Sequence, residues 1–333
     1  MMEKTRTIRR AATVVLTAAT LLAAQLLCGC GGGEQARDNK EKSAQVKAAG
    51  PVATAGVWVA SGSLTDSKLY RIDPASDKIV ATVPLERVCK GMAADGGSLW
   101  LSDYGGGKVW RVDAATNKIA ATVNVGGAPA AIAAGLGSVW VADANGGTIV
   151  RIDPATNKVT ARIKVTNSVL NSVCVHDNAV WVASVDLIVS KIDPAANKVV
   201  GTIRVGTNPS GISAGFGSLW VGNPMGKTVL RLDPAQAKVA AAIKTGNSRW
   251  TAAGADFIAV ANYAEGTVVF IDPKDNKVTD TVKAGPRLAT LAVGHGAVWT
   301  ASSPDNAVYR IDPATKKVLS ISVQKPGILA ITQ

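Results

Sequence analysis

Groups able to do nucleophilic or acid–base chemistry are scarce in this chain. It has two histidines, His176 and His295, and four cysteines: Cys28 and Cys30 close together near the N-terminus, and Cys89 and Cys174 far downstream. A catalytic histidine needs a partner that orients or activates it, and neither histidine lies in a His/Glu cluster. The sequence holds no HExxH pair, no Ser-centred nucleophile elbow, no Gly-rich phosphate loop and no CxxCH haem site. Aspartates recur about once in 40 residues, too sparsely to pair for acid–base work or to build a calcium loop. No catalytic residue, metal or cofactor is expected.

Residues suited to recognition are easier to find. Arg249, Trp250 and Arg287, with Tyr104 and Tyr263, offer guanidinium forks for an acidic group and aromatic faces for a planar one. Asp103, Asp143, Asn145, Asn223 and Asn262 fall in equivalent polar breaks and complete the set of candidate ligand-binding residues.

What must position them is a repeat. RIDPASDKIVATV from Arg71 returns as RVDAATNKIAATV from Arg111, RIDPATNKVTARI from Arg151 and KIDPAANKVVGTI from Lys191. It continues as RLDPAQAKVAAAI from Arg231, FIDPKDNKVTDTV from Phe270 and RIDPATKKVLSIS from Arg310. The shared aspartates, Asp73, Asp113, Asp153, Asp193, Asp233, Asp272 and Asp312, are spaced 40, 40, 40, 40, 39 and 40 residues apart. A second marker keeps the beat: Trp58, Trp100, Trp140, Trp181, Trp220, Ala259 and Trp299. Self-similarity at this period means stacked supersecondary units.

Each unit reads as four short strands. In the third copy these are A, Ala131–Ala134; B, Val139–Ala142; C, Thr148–Ile152; and D, Lys158–Val165. The strands are rich in Val, Ile and Trp, the breaks in Gly, Pro, Asn and Asp. Strands A and B are apolar on both faces, as in a sheet packed between two others. The spacing predicts an all-β, seven-bladed β-propeller of four-stranded antiparallel blades over residues 51–333, with no helix. An open solenoid would need polar caps. Instead Val57–Ala60 is a B strand lacking a good A strand before it, and Gly327–Thr332 is an A strand with nothing after it, so the last strand is expected to complete blade 1 and close the ring. The repeated tryptophan is expected to wedge between blades, and Trp250 to fill the hole left by Ala259. Cys89 and Cys174 fall in blades that are not neighbours, so no disulfide is expected.

The N-terminus carries an export pattern. Lys4, Arg6, Arg9 and Arg10 precede the uncharged stretch Ala11–Leu27, which is followed by Leu27-Cys28-Gly29-Cys30-Gly31. A Leu three before and a Gly just before Cys30 resemble a bacterial lipobox. That resemblance implies a lipoprotein signal peptide over 1–29, lipid on Cys30, and a polar flexible tether over 30–50. It places the chain on the periplasmic side of an outer membrane or on the cell surface, as an exported bacterial lipoprotein.

The repeat itself, with its VWVAD, WVGN and AVAN strands and GTV-x-RIDPATNKV-x-ATI-x-VG-x-x-P, resembles the YVTN-type repeat of YncE-like β-propellers. The Gly-x-Gly-Ser-Val-Trp-Val form also resembles propellers grouped with streptogramin (virginiamycin B) lyase. The resemblance spans about residues 52 to 333. It implies the fold, while these motifs are turns and packing positions and leave function open. Three functions are carried from here: a non-catalytic, envelope-anchored propeller that binds a protein, peptide or glycan; a metal-dependent C–O lyase of the streptogramin type; and a structural component of an envelope complex. The lyase needs a histidine base and acidic metal ligands near the channel. Both histidines align to the A–B turn, and this favours the first reading.

The net charge is +12, or about +9 without residues 1–29. Thirteen basic residues belong to the repeat: Lys78 and its equivalents five after the turn aspartate, and Arg71, Arg111, Arg151, Lys191, Arg231 and Arg310 two before it. No aromatic interleaving accompanies them. They are expected to be solvated edge charges, and nucleic acid is not expected as a partner. A monomer is expected. Four antiparallel strands put the A–B and C–D turns on one face, with the lysines and the tether. The B–C and D–A loops, with the candidate binding residues, lie on the other. The first face is expected to rest toward an anionic membrane surface.

Overall fold

The 40-residue beat becomes one sheet per repeat. The computed structural model describes residues 54–62 and 66–333, so the signal peptide, Cys30 and the tether lie outside the described residues. Every regular element among these residues is a strand, and the strands form seven antiparallel sheets of four. In blade 3 the strands are Pro129–Gly135, Ser138–Asp143, Thr148–Asp153 and Lys158–Lys164, close to the expected limits.

Blade 1 is built from both ends of the propeller. Pro326–Thr332 is its strand A, hydrogen-bonded to strand B, Gly56–Gly62, with Trp58 opposite Ala330. The Trp58 indole N–H donates to Thr332 Oγ1 at 3.0 Å, tying the closing strand to the core. Closure removes two free sheet edges.

Burial follows strand position. Strand B is covered on both faces; Ser98–Asp103 and Ala179–Ser184 are buried throughout. Strand D is the outer edge: in Lys158–Lys164 only Ile163 is buried, and the repeated lysines, from Lys78 to Lys317, are exposed as expected. The strand B tryptophans are at most 2% exposed. Trp140, Trp181, Trp220 and Trp299 satisfy their indole N–H on the carbonyl five residues back, at the end of strand A.

The repeated arginines correct the sequence reading. They are not solvated edge charges. Each guanidinium lies over the strand B tryptophan of its own blade and reaches into the C–D turn of the next. Arg151 sits 4.8 Å from the Trp140 ring centroid and donates to Pro194 O at 2.7 Å and Asn197 Oδ1 at 2.9 Å. Arg111 and Arg231 repeat the pattern, and Arg71 does so against Ala114 O. At the closing seam Arg310 meets Asp77 Oδ2 at 3.1 Å. The cause is the blade-to-blade stagger, which brings a turn some 43 residues downstream against each guanidinium except that of Arg310, which meets blade 1 across the closure.

Blade 6 departs from this rule. Trp250 packs, partly buried, against the cluster that contains Ala259, but it is not the main filler of that space. Phe270, directly across from Ala259 and 1% exposed, occupies it, with Phe257 at 5.1 Å. Phe270 stands where other blades carry the arginine, so the cation comes from the other side: Lys316 of blade 7 lies 4.1 Å from its ring centroid. Trp250 pairs with Ala261 and remains half-exposed toward the channel. Cys89 and Cys174 are both free thiols.

Candidate functional site

Because strand A is innermost, the seven A strands converge on the axis. On the B–C and D–A loop face they enclose a cavity of about 570 Å³, a size suited to a small molecule or a few side chains. Every blade contributes to it. Its wall is mixed: Met92, Ile132, Val173, Ile212, Leu291 and Leu329 come from equivalent strands, and Ser172, Thr251 and Thr290 lie among them. Polar groups sit at the mouth: Lys90, Asn171, Tyr104 and Asn145, the last donating to the Tyr104 hydroxyl at 3.3 Å. No carboxylate lines it.

Trp250 is the aromatic wall of this cavity, and its position is prepared by the neighbouring blade. A Cβ on Gly211 would come within 2.8 Å of the Trp250 ring and 2.7 Å of Arg249 O, so only glycine lets strand A of blade 6 approach so closely. Gly211 N–H donates to Arg249 O at 2.7 Å, and Thr251 Oγ1 donates to Trp220 O at 2.9 Å. The ring is thus presented from a bolted strand.

The sequence-derived candidates sort into three groups. Trp250, Tyr104 and Asn145 line the axial cavity. Tyr263 and Arg287 line a separate hollow between blades 6 and 7, and the Arg249 guanidinium lies 4.4 Å from the Tyr263 ring centroid. Asp103, Asp143, Asn223 and Asn262 form the third group: each ends a strand B and turns back into its own loop. Asp103 Oδ1 accepts from Gly106 N at 2.9 Å, with Arg87 Nε 4.0 Å from its other oxygen. Asp143 Oδ1 accepts from Ala128 N at 2.9 Å and Gly146 N at 3.2 Å, and a Cβ on Gly146 would collide with this carboxylate. Asn223 bonds Gly226 N and Thr228 Oγ1, and Asn262 bonds Thr245 O and Thr267 Oγ1. These side chains shape the loops that carry the first two groups.

The strand A side chains of the wall, and Lys90 and Asn171 beside them, are not among the candidates read from the sequence. The available signal was the repeat position of Ile132, apolar in six of seven copies with Thr251 the exception, which reads equally well as packing.

The two histidines lie on the opposite face. His176 ends strand A of blade 4, with Nε2 3.0 Å from Asp177 Oδ2, and His295 lies in the A–B turn of blade 7, with Nε2 2.8 Å from Thr332 O. Among the described residues no group of three or more His, Cys, Asp or Glu side chains is placed to hold a metal ion. Burial pushes the Cys89 and Cys174 thiols up to about 12, away from thiolate reactivity at neutral pH.

No protein-family model matches the chain, and no curated protein matches it. Solved structures do. A chain of hydrazine synthase from Kuenenia stuttgartiensis superposes with a TM-score of 0.62 at 16% identity, over 73% of this chain and 89% of that one. The computationally designed protein Ika8 superposes with a TM-score of 0.64 at 12% identity, over 84% and 91%. At these identities the fold is what is shared, and a fold of this kind hosts many functions.

Proposed function

We propose that this chain is a non-catalytic, envelope-anchored binding propeller that uses its B–C and D–A loop face to hold a protein, peptide or glycan. The observation that carries the reading is the convergence of all seven A strands on one cavity of mixed apolar and polar lining, with Lys90, Asn145 and Asn171 among its polar groups. Such a cavity can bury an apolar group and fix its orientation at the rim. The lyase alternative would need a base at that cavity, and His176 and His295 stand at the other end of the channel. The N-terminal pattern supports a lipid on Cys30 as the tether to the membrane and a location on the periplasmic side of an outer membrane or on the cell surface.

Site-specific photocross-linking in cells tests the binding face. A benzoylphenylalanine at Asn145, beside the cavity, is expected to capture a partner. One at Lys158, on the outer strand of the opposite face, is not. Capture from Lys158 alone, or from neither, would refute the reading. Radiolabelled palmitate incorporation that is lost in Cys30→Ala tests the anchor; incorporation that survives the substitution excludes it.

A further inference from the structure

The hollow between blades 6 and 7 encloses about 400 Å³ and is lined by Tyr263, Arg287, Asn306 and Lys325, among others, with no carboxylate. Arg249, exposed, lies against the ring of Tyr263. Two cations, Arg287 and Lys325, therefore line one small space, and a third, Arg249, lies against its Tyr263. None of the ion pairs among the described residues involves Arg249, Arg287 or Lys325. The nearest acids of the adjoining loops keep their charge but point to other partners: Asp305 accepts from the Tyr309 hydroxyl at 2.5 Å, and Glu265 from Asn247 N at 3.1 Å. A hollow lined by Arg287 and Lys325 and by no carboxylate favours an anionic group.

The backbone adds a second observation. Arg287 and Lys325 have φ of +50° and +43°, in the left-handed region where a side chain is disfavoured and glycine is at ease. The same conformation recurs in the C–D turns, at Asn117, Asn157 and Asn197 among others; at these two positions it sets where the cationic side chains start. The hollow also adjoins the axial cavity. Arg249 immediately precedes the cavity residue Trp250, and Ala289 of the hollow immediately precedes the cavity residue Thr290.

We propose that the loop face recognises an acidic peptide segment, with one aliphatic or aromatic side chain buried in the axial cavity and a neighbouring carboxylate held in the hollow by Arg287 and Lys325. Arg249 on Tyr263 flanks the same carboxylate. This names the ligand class for the binding reading above and rests on it. A peptide supplies both groups from neighbouring residues: an apolar side chain for Met92, Ile132, Ile212, Leu291 and Leu329, and a carboxylate for the hollow. An Arg fork and a Lys match a carboxylate in charge and geometry.

A displayed library of random heptapeptides panned on the full chain is the test. Enriched peptides are expected to carry Asp or Glu within two or three positions of Leu, Ile, Met or Phe. Panning on the double variant Arg287→Glu, Lys325→Glu is expected to select Lys or Arg at that position instead. Arg287→Gly relieves the left-handed residue, so it is expected to keep the melting temperature while weakening an enriched acidic peptide about tenfold, the loss of one charge-assisted contact. Apolar peptides enriched without acids would overturn the proposal and leave the binding reading standing. An unchanged consensus on the double variant, or retention of an acidic oligosaccharide with no peptide enriched, would also overturn it. Enrichment of nothing, together with no capture at Asn145, would remove both.

Discussion

The arginine that joins each blade to the next gives the sharpest test of how the ring is held. Arg151 donates to Pro194 O and Asn197 Oδ1 of blade 4, donates through Nε to Ser138 Oγ at 2.8 Å, and covers Trp140 at 4.8 Å. A hydrogen bond from a charged group contributes about 1.5–3 kcal/mol net when buried and less when half-exposed, as here. A partly desolvated cation–π contact adds about 1 kcal/mol. Arg151→Ala should therefore cost about 3 kcal/mol, and Arg151→Lys, which keeps the charge over the ring but loses the fork, about 2 kcal/mol. Blade 4 supplies an internal control. Its cation is Lys191, 5.4 Å from Trp181, and the asparagine slot in the following turn is Ala237. Lys191→Ala should cost only about 1 kcal/mol, the cation–π contact alone. Urea unfolding followed by tryptophan fluorescence reads these differences as midpoint shifts at constant slope. Equal costs for Arg151→Ala and Lys191→Ala, or a cost below about 0.5 kcal/mol for the former, would show that the seam is held by apolar packing alone.

Trp250 is half-exposed while the other seven tryptophans are at most 2% exposed, so Trp250→Phe should abolish acrylamide-quenchable fluorescence, and residual quenching of the same size would contradict the cavity geometry. Deleting residues 326–333 removes strand A of blade 1 and the Trp58 acceptor; a single cooperative unfolding transition is expected to disappear, and full retention of thermal stability would count against ring closure. Cys89 and Cys174, with thiols pushed up to about 12, should resist iodoacetamide at pH 8 until the protein is denatured, and rapid native labelling of Cys89 would contradict its burial. The Ser76 hydroxyl bonded to Asp73, and the backbone N–H groups of Thr116, Ala155 and Thr315 bonded to Asp113, Asp153 and Asp312, hold these carboxyls below the usual range. Their folded forms bind a proton less readily than the unfolded chain does. The stability they lend is full above the unfolded value, about 4, and is lost as pH falls through the lower folded values. A melting temperature flat from pH 7 to 5 and falling below about 4, with a shallower fall in Asp153→Ala, is expected from differential scanning fluorimetry.

The fold was legible in the residues because a propeller writes itself locally. Each blade is four adjacent strands joined by short turns, so alternation, turn residues and a beat of 40 are all present within one stretch of chain. Ring closure was legible for the same reason: an unmatched B strand at one end and an unmatched A strand at the other leave one solution. Tertiary packing alone decided the rest. Arg151 looks like a surface charge until the next blade brings a carbonyl 43 residues away to within 2.7 Å. Asn262 and Tyr263 are neighbours in one loop, yet Asn262 turns inward to hold the loop while Tyr263 lines the hollow between blades 6 and 7. Where Phe270 stands in place of the joining arginine, Lys316 of the adjacent blade supplies the cation. Local chemistry sets which residues become strand and turn. Which side chains meet, and which face open space, depends on how one blade is staggered against the next, a distance that no single repeat contains.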